Sequence, residues 1–248
     1  KNCCIIIVVT NNWPVAGGEH MYLDDKRVRI ISGHYGSGKT EFALNYVMNL
    51  KKMSKKKVAI SDMDIVNVYF RSREKRNEII SNGIEIFDSS ISASADLPAI
   101  PAEMRIPFVD KEYDYVVDLG GNDVGTIVLG RFFDSIDVSE VDFFMVVNVF
   151  RPDTKDVESI IEQKNRLEFS SKLKVTGFIN NTNLVRETTA SDIIYGDDIL
   201  RQVSVKTGVP IKYTSYVEEV VKDITPEIIN KLSGDVIPLK YYMREVWM

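Results

Sequence analysis

The chain has 248 residues, 44% of them apolar and 27% charged, which suits one sizeable globular domain with a substantial core. A net charge of −5 argues against a broad nucleic-acid or acidic-membrane footprint. The two cysteines are the neighbours Cys3 and Cys4, so there is no disulfide framework and no zinc spacing, and two histidines leave little for a His-based metal site.

The N-terminal run "CCIIIVV" (3–9) is too short to span a bilayer and reads as a core or edge strand. "GGEHM" (17–21) suggests another reading: GGAGG, a ribosome-binding sequence, would encode part of it just before an ATG at Met21. On that reading residues 1–20 are translated leader, and a single domain occupies 21–248.

"RVRIISG" (27–33) reads as a strand ending in glycine, followed by "GHYGSGKTE" (33–41) and a helix over "TEFALNYVMNLKK" (40–52). Along that helix Phe42, Ala43, Tyr46, Val47, Asn49 and Leu50 fall near one face. "KKMSKKK" (51–57) is a local run of cations; it reads as a solvated helix end and turn, since cations complement a helix C-terminus. Strands follow at "KVAISDMD" (57–64) and "GIEIFDS" (83–89). "YDYVVDLGG" (113–121) and "VDFFMVVNVF" (141–150) are continuous apolar runs of the kind buried on both faces of a parallel sheet.

The segment 153–169 reads as a polar-faced helix capped by Asp153. "LKVTGFINN" (173–181) and "VPIKYTS" (209–215) add two strands with a helix between them. The tail "LKYYMREVWM" (239–248) places Leu239, Tyr242, Met243, Val246 and Trp247 at helical spacing. It reads as a helix packed on the domain, with a membrane or partner helix as the alternative. The alternation predicts an α/β fold with an open, mostly parallel sheet. There is no internal repeat and no transmembrane run.

Gly33, Gly38, Lys39 and Thr40 satisfy G-x-x-x-x-G-K-[ST], the phosphate-binding P-loop pattern, between a strand and a helix as that motif requires. Glycine lets backbone wrap closely around phosphate oxygens, and the helix start aims N–H groups and a positive dipole end at the anion. The loop Gly33, His34, Tyr35, Gly36, Ser37, Gly38, with Lys39, Thr40 and Glu41, is the candidate nucleotide cradle. Lys39 would reach the β- and γ-phosphates, and Thr40 would ligate Mg²⁺. Asp118, ending "VVD", is the expected second metal-holding acid, with Gly120 or Gly121 close to the γ-phosphate. "SDMD" (61–64) is a third acidic strand end: Asp62 joins the metal shell and Asp64 orients the attacking water.

"GHYGSGKT", "ISDMDIVN" and "VVDLGG" together resemble the MinD/ParA and CobQ/CobB nucleotide-binding family, of the SIMIBI class of P-loop NTPases. The likeness covers most of residues 27–215. It implies a three-layer P-loop NTPase fold, with helices on both faces of the sheet and ATP and Mg²⁺ at its C-terminal edge. It also implies a base contact from Asn180 or Asn181 in "GFINNTN"; the absence of N-K-x-D favours ATP over GTP.

His34 stands where MinD and ParA proteins carry a lysine that reaches the partner subunit, which departs from the usual dimer mechanism. Arg71 and Arg73 in "YFRSRE" are alternative sources of positive charge on the transferring phosphoryl group. The cysteines of the iron–sulfur branch are missing, so no such cluster is expected. "SASADLPAIPAE" (92–103) reads as a switch loop, a partner loop or an irregular connection. The expectation is a cytoplasmic, Mg²⁺-dependent ATPase acting as a nucleotide switch, with homodimerisation or a protein partner as output. Its rivals are a CobB- or dethiobiotin-synthetase-like enzyme phosphorylating a small carboxylate, and an ATP-sensing adaptor.

Overall fold

The computed structural model describes residues 21–63, 76–88, 102–121, 126, 129–130 and 132–243. Expectations for residues 1–20, Asp64, Arg71, Arg73, most of the 92–103 loop and the final five residues lie outside these.

Eight strands form one sheet: β1 Val28–Ser32, β2 Lys57–Asp62, β3 Ile84–Asp88, β4 Tyr113–Asp118, β5 Val141–Val147, β6 Gly177–Asn180, β7 Ile211–Val217 and β8 Asp235–Leu239. Their order is β3-β2-β4-β1-β5-β6-β7-β8, with every pairing parallel. The helices include α1 Lys39–Met53, α2 Arg76–Ser81, α3 Ile106–Val109, α4 Val157–Ser171, α5 Ala190–Thr207 and α6 Pro226–Ile229. The chain runs first to one side of β1 and then to the other. β1 is therefore the topological switch point, and the crevice at its C-terminal end is where such sheets bind ligands.

Strand alternation divides the core in two. Val28 and Ile30 of β1 join Tyr115, Val117, Phe143 and Met145 under Phe108 of α3, Ile160 and Leu167 of α4, and Leu200 and Val203 of α5. Ile31 joins Val58, Ile60, Val116, Phe144 and Val146 under Phe42, Ala43, Tyr46, Val47 and Leu50 of α1. Both faces are covered, which is why the central strands are apolar throughout.

Three local expectations differ from the structure. Asp153 does not cap α4: it lies in the single 3-10 turn Pro152–Thr154, and Asp156 is the cap. Asp156 accepts from the Ser159 N–H at 2.9 Å, and the Ser159 hydroxyl accepts from the Asp156 N–H at 3.1 Å, a reciprocal capping box. The tail is not helical where it is described, because Leu239 closes β8 and residues 240–243 follow in an irregular path. Strand β8 itself was not anticipated. Lys51 and Lys52 lie in the last turn of α1, as the helix-end reading of the basic run expects.

Opposite the crevice, Asp25 is a buried polar hub. It accepts from the hydroxyls of Tyr46 (2.6 Å) and Tyr213 and pairs with Lys212 at 2.9 Å. Desolvation pushes the Tyr22 phenol up to about 12, and burial raises Tyr46 and Tyr213 well above the ordinary range, with Asp25 adding to both. A phenol whose folded pKa is raised contributes its stabilisation below its unfolded pKa of about 10 and loses it as pH climbs towards the folded value. Thermal stability should therefore fall between about pH 10 and 12. Tyrosinate absorbance, followed with pH alongside melting temperature, should rise together with unfolding. A full set of tyrosines ionising near pH 10 in folded protein would contradict this.

Candidate nucleotide site

The loop between β1 and α1 has the backbone of a phosphate cradle. Gly36 and Gly38 adopt left-handed conformations with φ of 76° and 85°. The Ser37 N–H donates to the His34 carbonyl at 3.0 Å, and the Phe42 N–H to the Gly38 carbonyl at 3.0 Å, which starts α1 directly behind the loop. The first turn of a helix has N–H groups with no acceptor inside the helix, so this end favours an anion. The buried Ser32 and Ser37 hydroxyls have no hydrogen-bond partner among the described residues, so the cradle holds polar atoms suited to a polar ligand.

Neighbouring strands fix the loop from several sides. A Cβ on Gly33 would lie 2.4 Å from the Val146 carbonyl oxygen of β5. A Cβ on Gly121 would lie 1.9 Å from the Gly33 carbonyl oxygen, so the "DLGG" turn after β4 packs backbone to backbone on the loop. Below the loop, Asn181 donates from Nδ2 to the Ser37 carbonyl at 2.7 Å and accepts from the Ser215 hydroxyl at 2.9 Å. Asn180 is fully buried; its amide donates to the Ile193 carbonyl and its oxygen accepts from the Thr182 N–H. The structure thus places Asn181 as a brace against the loop and Asn180 between β6 and α5.

The acids converge at the same edge. Thr40 Oγ1 donates to Asp118 Oδ2 at 2.7 Å. Asp118 pairs in register with Asp62, so these carboxylates end adjacent strands on one side of the sheet. Both are buried, as is Lys39. Two buried carboxylates beside a hydroxyl are hard oxygen donors of the type that hold Mg²⁺, so the residues present fit that ion. Register also sets Asp88 of β3 beside Asp62, a third aspartate in the row.

Three of the candidate cradle residues, Glu41, His34 and Tyr35, contact other parts of the chain or are exposed. The Glu41 carboxylate accepts from the N–H groups of Tyr242 and Met243 (3.0 Å for the latter), so it faces the C-terminal segment. Four residues along α1, Asn45 exchanges two hydrogen bonds with the Lys240 backbone, at 2.8 and 2.9 Å. His34 Nε2 lies 3.1 Å from Asp153 Oδ2, and Tyr35 is 77% exposed.

Sequence reasoning missed Arg151. It follows β5 in "NVFRPDT" and donates from Nε to the Gly36 carbonyl at 3.0 Å. An arginine just past a strand that neighbours β1 was the available signal.

No protein-family model matches the sequence, and no curated protein matches it. Among solved structures, the cell division protein FtsY of Thermotoga maritima matches with a TM-score of 0.52 and 17% identity. The match covers 81% of this chain and 66% of that one. Chloroplast FtsY from Physcomitrella patens matches with a TM-score of 0.50 and 19% identity, over 75% and 57% of the two chains. The likeness shows the fold, the P-loop NTPase α/β fold with a parallel sheet that these FtsY proteins have. The likeness stops at the fold and does not reach the MinD/ParA family that the motifs resemble. An Archaeoglobus fulgidus nucleotide-binding protein in complex with ADP also matches, with a TM-score of 0.46 and 13% identity, over 86% and 89% of the chains. The chain spans less than two thirds of the length of the two FtsY proteins. Among the described residues, no helix is long and apolar enough to cross a membrane, and no group of three or more His, Cys, Asp or Glu residues is placed to hold a metal ion. The fit to Mg²⁺ therefore rests on two acids and a hydroxyl.

Proposed function

We propose that this chain binds ATP with Mg²⁺ in the loop between β1 and α1 and hydrolyses it as a nucleotide-dependent switch. The observation that carries the reading is the 2.7 Å contact from Thr40 to Asp118, which joins the end of the phosphate loop to the acid ending β4. Loop N–H groups and Lys39 bind the β- and γ-phosphates, while Thr40, Asp118 and Asp62 hold the metal. Bound Mg²⁺ neutralises charge on the β- and γ-oxygens. Asp64, two residues beyond the end of β2, orients the attacking water.

Hydrolysis forms a bond from the water oxygen to the γ-phosphorus and breaks the bond to the β–γ bridging oxygen. The water proton passes to the released phosphate, and ADP leaves. Asp62 and Asp118 end β2 and β4, so loss of the γ-phosphate removes what these two strand ends hold. That change is the switch, read by a second copy or a partner.

Light scattering in ATP and in ADP tests it, with Asp64→Ala slowing hydrolysis. A dimer with ATP that returns to monomer with ADP is the expected result. One mass in both nucleotides, without ATP turnover by the unsubstituted protein, would overturn the reading.

A further inference from the structure

We infer that Arg151 acts in cis as the cationic group on the γ-phosphate, contacting the transferring group from the side of β5. The inference rests on the proposed nucleotide site and adds a residue to it.

Three observations carry it. The first is position: Arg151 follows β5, which pairs directly with β1 from Val28↔Val141 to Ser32↔Met145. It therefore leaves the sheet at the same edge as the phosphate loop. The second is rigidity. The Arg151 N–H donates to the Asn148 carbonyl, the Thr154 N–H donates to the Arg151 carbonyl, and the Thr154 hydroxyl returns to the Asn148 carbonyl at 2.7 Å. Asn148 is itself tied to Asn183, donating to its carbonyl at 3.0 Å. The turn bearing Arg151 is thus held from both sides.

The third observation is contact. The Arg151 Nε donates to the Gly36 carbonyl at 3.0 Å, and a Cβ on Gly36 would lie 3.2 Å from that Nε and 3.4 Å from the guanidinium carbon. The same turn meets the loop a second time through His34 and Asp153. An arginine anchored by Nε keeps its two terminal NH₂ groups for a ligand, and that planar pair matches two phosphate oxygens. Arg151 is half-buried, and Lys39 of the phosphate loop is buried.

Charge requirement points the same way. Phosphoryl transfer is catalysed mainly by positioning and by positive charge on the equatorial oxygens, and an arginine supplied in cis is one established solution in other P-loop proteins. A brace that only shaped the loop would affect every phosphate ligand alike. A γ-phosphate contact acts on the triphosphate and on the rate.

The experiment compares Arg151→Ala, Arg151→Lys and unsubstituted protein. It measures equilibrium binding of ADP and of a non-hydrolysable ATP analogue, each with Mg²⁺, and single-turnover ATP hydrolysis. The expected result for Arg151→Ala is ADP affinity within about twofold of normal, analogue affinity down about tenfold, and a hydrolysis rate down about a thousandfold. Arg151→Lys should recover part of the rate through its charge but not the paired geometry. Retained ADP binding shows that the variants fold. An equal fall in ADP and analogue affinity, or an unchanged rate, would overturn the inference and leave the nucleotide site standing. Failure of unsubstituted protein to bind either nucleotide would overturn both.

Discussion

Lys39→Ala should lower ATP affinity at least about a hundredfold, or roughly 3 kcal/mol, which is what hydrogen bonds from one ammonium to charged phosphate oxygens supply. Lys39 is 6% exposed at the first position of α1, in the turn whose backbone N–H groups have no acceptor within the helix. A distant surface lysine would be screened by solvent and its loss would change affinity little. Comparative titration of ATP into the two proteins, with melting curves to establish folding, measures the difference. Unchanged affinity in a folded variant would remove the loop from the binding site.

Gly121→Ala should be nearly as damaging, although residue 121 carries no functional group. Its Cβ would lie 1.9 Å from the Gly33 carbonyl oxygen and 2.5 Å from the Gly33 carbonyl carbon. Both obstacles are backbone, so no rotamer relieves the clash; either the loop or the turn after β4 must move by about 1 Å or more. The expected cost is about 3 kcal/mol of stability, with ATP affinity falling as the loop shifts. Gly130→Ala is the contrast, because nothing among the described residues lies within 4 Å of its added Cβ. Urea denaturation of the three proteins would separate them. Equal midpoints for Gly121→Ala and the unsubstituted chain would show that the packing is looser than described.

These two residues also mark how far sequence carries. The strand–loop–helix around Lys39 was legible because chemistry and periodicity coincide: an apolar run, a glycine pattern that admits phosphate, then a helical face. The apolar strands β4 and β5 were legible because strands covered on both faces need no polar alternation. Strand β8 was not, because Pro238 within "DVIPL" argues against a strand. The structure accommodates it because, among the described residues, β8 is an edge strand paired with β7 alone, where a missing N–H costs least.

Asp153 and Asp156 are equivalent cap candidates by pattern, and only the intervening 3-10 turn decides between them. The site shows the same division. Thr40 and Asp118 stand 78 residues apart, and their contact follows from strand order. Whether Asn180 or Asn181 faces the loop depends on which way β6 presents each side chain. The structure sets Asn181 against Ser37 and buries Asn180. Arg151 was invisible because its importance lies in a carbonyl it touches 115 residues away.

One nucleoside triphosphate should bind per chain at the loop after β1. Equilibrium dialysis against ATP, with Mg²⁺ and then with a chelator, tests it most directly, with GTP run in parallel. The expected result is saturation at one ATP per chain, weaker binding once the metal is removed, and weaker binding of GTP. No saturable binding of either nucleotide in the presence of Mg²⁺ would contradict it.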